Sequence, residues 1–177
     1  SVEEHQRVVA ELIAARPAQR VGLAEAEGLV LAADVDAPLS LPMFDNSAMD
    51  GFAVRAADLA DLPARLVVVG ESAATAGPIP SVHPGSAVRV MTGGRLPPGA
   101  DAVVPVELTD QPPGAAPLPS QVQVRAAVPL GAHLRRAADD LAAGDLVLRA
   151  GELVTPGAIA SVAAVGLGAL PLAAPVR

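Results

Sequence analysis

Cysteine, tryptophan, tyrosine and lysine are absent from these 177 residues, and phenylalanine occurs twice. Without cysteine there is no disulfide framework, no thiolate metal site and no cysteine nucleophile, so a reducing, cytoplasmic setting is the default expectation. A chain with two aromatic side chains cannot stack a run of bases. All 12 basic residues are arginine, which a coding bias towards Ala, Gly, Pro, Val and Arg explains, and 19 acidic residues outweigh them to give a net charge of −7. That balance excludes a protein that holds nucleic acid through clustered cations. No apolar run reaches the ~18 residues of a membrane span, and no basic stretch followed by an apolar segment opens the chain. No nucleic-acid partner and no membrane partner are expected.

Aliphatic residues dominate instead: 51% of the chain is hydrophobic and the mean hydropathy is +0.44. This is enough for a folded core in one domain or two small ones. Ser1 and Glu4 form a capping-box pattern ahead of Val2, Val9, Leu12 and Ile13, which predicts a helix over about 2–15, ended at Arg16 by Pro17. LVLAADVDAP (29–38) reads as a strand stopped by proline, and 39–45 as an extended lead-in. Between 64 and 128 the runs RLVVVGE (65–71), SAVRVM (86–91), DAVVPVEL (101–108) and QVQVRAAV (121–128) alternate with turn signals and predict a small antiparallel barrel or sandwich. QVQV has the alternation of a half-exposed strand, whereas VVV reads as buried on both faces. QPPGAAPLPS (111–120) is a Pro/Gly/Ser loop with no assigned role. DLVLRAGELV (145–154) reads as two short strands, followed by a helix with Thr155 as N-cap, Pro156 at N1 and Gly166 just past the end. That helix is apolar nearly all round, which predicts burial on most sides, against another element or another subunit. GALPLAAPVR reads as a closing strand.

Three segments carry polar groups of a kind that does chemistry. DNSAMDG (45–51) sets Asp45 and Asp50 five positions apart with Asn46 and Ser47 between them. Taken singly, such a string is usually an Asx-type turn. VRVMTGGRLPPGADAVVPVE (88–107) contains Thr92, Gly93 and Gly94, whose N–H groups and hydroxyl can face an anion; a bare TGG is more often just a turn. Glu107 ends that segment and reads equally as a surface carboxylate. HLRRAADDLAAGD (133–145) places Arg135 and Arg136 ahead of Asp139 and Asp140. Adjacent guanidinium groups suit oxyanions and adjacent carboxylates suit Mg²⁺, although a solvated loop of screened charges has the same composition. His5, His83 and His133 show no metal-ligand spacing.

The string LPMFDNSAMDGFAV (41–54) resembles the N-terminal signature of the molybdopterin molybdotransferase (MoeA/gephyrin) family, with Phe52 where Tyr is frequent. The 88–107 segment is similar to the family's second block, and Arg135, Arg136 and Asp140 match its arginine-aspartate loop. The loop departs from the pattern at Ala137 and Ala138, where another basic residue and glycine are usual, and at Asp139 in place of glutamate. Its backbone shape is therefore the open point.

The resemblance implies an α+β, mainly β fold: an inserted β domain over 38–143 within an elongated segment formed by 1–37 and 144–177. It implies the N-terminal part of an enzyme that inserts molybdenum from molybdate into adenylylated molybdopterin with Mg²⁺, inactive as this piece alone. Carried over by position, Asp50, Asp140 and Thr92 are catalytic, Asp50 and Asp140 hold the metal, and Asn46, Ser47, Gly93, Arg135 and Arg136 bind substrate. A homodimer is implied, as is a molybdopterin adenylyltransferase as upstream partner. The alternative within the family is a gephyrin-like scaffold or interaction module without catalysis.

Overall fold

A computed structural model describes residues 1–12, 17–73, 77–114 and 116–173. The chain divides into two compact units, one of Ser1–Ser40 with Leu141–Arg177 and one of Leu41–Asp140. The inserted unit thus runs from 41 to 140 rather than from 38 to 143. The first unit supplies α1 (Val2–Leu12), β1 (Ala18–Gly22) and β2 (Val35–Asp36). The second holds β3 (Asn46–Ser47), β4 (Gly51–Val54), β5 (Ala64–Ser72), β6 (Ser86–Val90), β7 (Ala102–Pro105), β8 (Gln121–Val124) and β9 (Leu134–Arg135). The chain then returns to the first through β10 (Leu146–Leu148), α2 (Pro156–Ala164) and β11 (Ala169–Ala173). The structure is mainly β, with two helices among the described residues.

In the second unit five strands form one curled sheet in the order β7-β4-β6-β5-β8. β4, the GFAV strand between β7 and β6, is buried at every position because both faces are covered. Phe52 and Val54 meet Leu66, Val104, Val122 and Val124 on one side, while Ala53 meets Val90 and Val103 on the other, with Leu96 and Leu134 against them. Removing a side chain as large and enclosed as Phe52 costs ~3–5 kcal/mol. Its burial also anchors the signature, since Asp50 precedes it by two residues.

Two strand expectations are corrected. The sheet is not wholly antiparallel, because β5 and β6 run parallel, Val67 opposite Ser86 and Ser72 opposite Val90. Parallel neighbours need a long crossover, and the segment between Ser72 and Ser86 is that crossover. Nor is VVV buried on both faces: Val68 is enclosed but Val67 and Val69 are exposed, 50% and 43%. An unbroken apolar run is ambiguous between one- and two-sided burial, and here no described residue encloses Val67 or Val69 on the outer face of β5. QVQV does alternate. DAVVPVEL gives the strand β7 followed by a 3₁₀ turn at Val106–Leu108, which leaves Glu107 exposed.

In the first unit, β1 pairs antiparallel with β11 from Ala18↔Ala173 to Gly22↔Ala169, and β2 pairs with β10. Leu31, Val154, Val162, Leu170 and Leu172 form its core. The expected strand at 29–38 shrinks to single bridges at Val30 and Leu31 and the two residues of β2. In α1 the Ser1 hydroxyl accepts the Glu4 N–H at 3.2 Å as the capping box requires; Ile13 to Arg16 lie outside the described residues. Thr155 Oγ1 caps α2 by accepting the Ala158 N–H at 3.2 Å, with Pro156 in the first turn. The expectation that α2 is buried on most sides is not met within the unit. Only Val162 of the helix is buried, and Ala160, Ala163 and Ala164 face solvent.

Candidate functional site

Strand β3 is two residues long, yet it joins all three polar segments, because each of its edges has a partner. On one edge it pairs with β9, Asn46↔Arg135 and Ser47↔Leu134. On the other it bridges Arg95, with Ser47 N–H donating to the Gly94 carbonyl at 2.9 Å and Leu96 N–H donating to the Asp45 carbonyl at 2.8 Å. The TGG turn makes this approach possible. Gly93 takes a φ of +78°, which favours glycine, and a Cβ on Gly94 would stand 2.6 Å from the Ser72 carbonyl oxygen.

Asp50 and Thr92 are in direct contact. Asp50 Oδ1 accepts from the Thr92 N–H at 2.7 Å and from the Thr92 hydroxyl at 2.7 Å. The backbone N–H first and the hydroxyl second hold the Asp50 pKa below the ordinary carboxylate value. Among the described residues Oδ2 has no protein donor, so an ionised, exposed oxygen is left for a ligand. The expectation that the Thr92–Gly94 N–H groups face an anion is corrected: Gly93 N–H donates to the Ser47 carbonyl at 2.8 Å and Gly94 N–H to the Met91 carbonyl at 2.8 Å. All three amides are taken by partners within the unit, Asp50, Ser47 and Met91.

The arginine loop is tied to the signature by Asp45, which sequence reasoning left without a role. Asp45 Oδ2 accepts from Arg136 Nη1 at 2.6 Å and Oδ1 from the Ala137 N–H at 2.9 Å. The Ala137 amide, then the Arg136 hydrogen bond, lower its pKa. Arg135 Nη2 donates to Asp140 Oδ2 at 2.7 Å, and Arg136 N–H donates to Asp139 Oδ2 at 2.6 Å. Ala138 takes a φ of +65°, a left-handed conformation that costs a residue other than glycine about 1 kcal/mol. Ala138 N–H donates to the Pro42 carbonyl at 3.0 Å and Asp140 N–H to the Leu41 carbonyl at 2.9 Å, which hold it in place.

Asn46 and Ser47 lie within the unit rather than at its surface, 4% and 0% exposed. The Ser47 hydroxyl donates to the Met49 carbonyl at 2.6 Å, and Asn46 Nδ2 to the Phe44 carbonyl at 3.1 Å. Both shape the turn that presents Asp50. Asn46 Oδ1 is buried with no donor. His133 joins by its backbone only, its carbonyl accepting the Ala48 N–H at 2.9 Å.

No group of three or more His, Asp or Glu side chains with metal-holding geometry occurs among the described residues. Mg²⁺ needs no such cage: it retains water and is commonly held by one or two carboxylates. The open oxygens of Asp50 and Asp140 are hard donors of that kind. Beside Asp50, Gln111, Pro112, Gly114, Ala116 and Pro117 of the 111–119 loop line a pocket together with Phe52 and Met91. Arg89 ties this loop down, donating to the Ala116 carbonyl at 2.6 Å while pairing with Glu71.

A family model of the MoeA N-terminal region, domains I and II, matches residues 1–166. A molybdopterin molybdenumtransferase 2 of Mycobacterium tuberculosis is 47% identical over 176 residues, 97% of this chain and 42% of that protein. A molybdopterin molybdenumtransferase of Synechococcus elongatus is 42% identical over 159 residues, 87% of this chain and 38% of its own length. The crystal structure of a molybdopterin biosynthesis MoeA protein from Pyrococcus horikoshii OT3 superposes with a TM-score of 0.77 at 30% identity, over 90% of this chain and 42% of that one. The chain therefore spans about two fifths of the length of these relatives, and over that span it belongs to the MoeA N-terminal region family.

Proposed function

We propose that this chain is the N-terminal part of a molybdenum cofactor biosynthesis enzyme, a transferase that inserts molybdenum from molybdate into adenylylated molybdopterin. The observation that carries this reading is the pairing of all three polar segments on β3, which brings Asp50, Thr92, Arg135, Arg136 and Asp140 into one unit. The names of the relatives, molybdopterin molybdenumtransferases, agree with it.

In this reading Asp50, kept ionised by Thr92, and Asp140, oriented by Arg135, offer carboxylate oxygen to Mg²⁺. The ion, when bound, supplies positive charge to the phosphate oxygens of the adenylate. The pterin nucleotide is held largely by protein outside these residues, so this piece alone does not make cofactor. The exposed apolar face of α2 suits a homodimer, and the adenylylated substrate implies an upstream adenylyltransferase as partner. A cytoplasmic setting fits a cysteine-free chain. The alternative, a scaffold without catalysis, rests on the altered loop at 137–139.

The test is complementation of a strain lacking molybdenum insertion by the full coding sequence that carries this chain. Restored molybdoenzyme activity, lost again with Asp50→Ala, is the expected result; an Asp50→Ala gene that complements fully would overturn it.

A further inference from the structure

We propose that Arg95 is the oxyanion ligand of this site, taking a tetrahedral oxyanion of the phosphate or molybdate class between itself and Arg135. The proposal rests on the reading of the site above and deepens it, because it moves anion recognition to a residue that neither the motifs nor the family resemblance singles out.

Charge pairing is the first ground. The three segments at 45–50, 92–95 and 133–140 contain four carboxylates, Asp45, Asp50, Asp139 and Asp140, against the three arginines Arg95, Arg135 and Arg136. Arg135 is paired with Asp140 and Arg136 with Asp45. A carboxylate beside each of these guanidinium groups offsets much of its pull on an incoming anion, so neither pair holds one alone, and Arg135 contributes N–H donors rather than net charge. Arg95 has no carboxylate partner among the described residues. Its guanidinium lies 4.6 Å from the centroid of the Phe44 ring, a contact that positions the cation without neutralising it.

Register is the second ground. Arg95 and Arg135 both stand opposite Asn46, one on each side of β3. Directly opposed residues of antiparallel strands project from the same face, and two strand spacings separate their backbones by about 10 Å. Two arginine side chains, each long and rich in N–H donors, can converge on an anion across that span. The Arg95 backbone is fixed for the purpose, its carbonyl accepting the hydroxyl of buried Ser72 at 2.7 Å.

The third ground is the residue between them. Asn46 Oδ1 is buried without a donor, and a buried acceptor left unmatched is unfavourable. Arg95 and Arg135, opposite Asn46 on the same face, carry N–H donors. A guanidinium drawn inward by an anion would supply the missing hydrogen bond, so ligand binding and satisfaction of Asn46 go together.

The test is titration of this chain, at low ionic strength, with sodium molybdate, inorganic phosphate and pyrophosphate in separate arms, followed by the arginine Nε–H resonances. A saturable shift of the Arg95 signal is expected, with affinity weakened about tenfold in Arg95→Gln, the scale of one lost charge-assisted hydrogen bond. Arg65→Gln, on the outer face of β5, should stay within about twofold of the unaltered chain. The Thr92 amide resonance reports whether each variant keeps the Asp50 contact and hence the fold of the site. Tighter molybdate than phosphate identifies the metal substrate as the ligand; the reverse identifies the phosphates of the nucleotide. Saturable binding that Arg95→Gln leaves intact overturns the assignment to Arg95 alone. An unaltered chain that binds none of the three overturns the oxyanion reading of the site and this proposal with it.

Discussion

Asp50 and Thr92, 42 residues apart in the chain, are joined by two hydrogen bonds to a single oxygen, Asp50 Oδ1. The second carboxylate oxygen is left without a protein donor among the described residues. Asp50→Asn keeps the shape but loses the charge, so in the full-length protein it should reduce molybdenum insertion by orders of magnitude while oligomeric state is unchanged. Cofactor assay with sedimentation measures both. Thr92→Val should lie between Asp50→Asn and the unaltered protein, because the backbone N–H bond survives.

The same contact sets a pH dependence. Asp50 and Asp45 both have pKa values lowered on folding by hydrogen bonds to their ionised forms. Their contributions are therefore fully present above the ordinary carboxylate value of about 3.9 and are lost as pH falls through the lower folded values. Amide spectra recorded down an acid series should show Thr92 and Ala137 shifting below pH ~4, with no transition at these amides between pH 5 and 8. A midpoint near 6 would contradict the assignment.

Gly51→Ala should be among the most damaging small substitutions in the second unit. Its Cβ would sit 2.0 Å from the Val104 carbonyl oxygen, which is backbone and paired across β4 and β7. Separation of the two strands should cost ~2–4 kcal/mol, readable as a lower urea midpoint.

Ala138→Gly should have the opposite sign. Relief of the positive φ is worth up to ~1 kcal/mol, reduced by the extra freedom glycine brings to the unfolded chain. In an Asp45→Asn background, where the Arg136 and Ala137 contacts are weakened, faster hydrogen exchange at Ala137 and Asp140 should be partly restored by Ala138→Gly. Independent effects of the two substitutions would show that Asp45 does not hold the loop.

Strands β5 to β8 were readable as apolar runs between turn residues, and α2 was bounded by Thr155, Pro156 and Gly166 as its caps require; β3 and β4, inside a string that reads as loop and turn, and β9 were not. Nor were direction and coverage. Whether β5 and β6 run parallel depends on the path between them, and whether Val67 and Val69 meet anything depends on what the rest of the chain leaves over. Asp50, Thr92, Arg135 and Asp140 stood out in the sequence by residue type and spacing, but the contacts of Asp50 with Thr92 and of Arg135 with Asp140 did not. Asp45 and Arg95 were passed over because their roles arise from pairing across β3, at separations of 91 residues for Asp45 with Arg136. The burial of Asn46 and Ser47 was equally out of reach, since polar residues in a turn-like string carry no mark of depth.

A two-residue strand with partners on both edges also constrains how such a protein can change in length. Side chains alternate faces at every step, so inserting one residue between Thr92 and Leu96, or between Leu134 and Asp140, would turn Arg95 or Arg135 to the opposite side of the sheet. The linking stretches are under no such parity rule. Among relatives, gaps and insertions should therefore gather in the crossover between β5 and β6 and in the proline-rich loop, while the three short segments around β3 keep their residue count even where their residues differ.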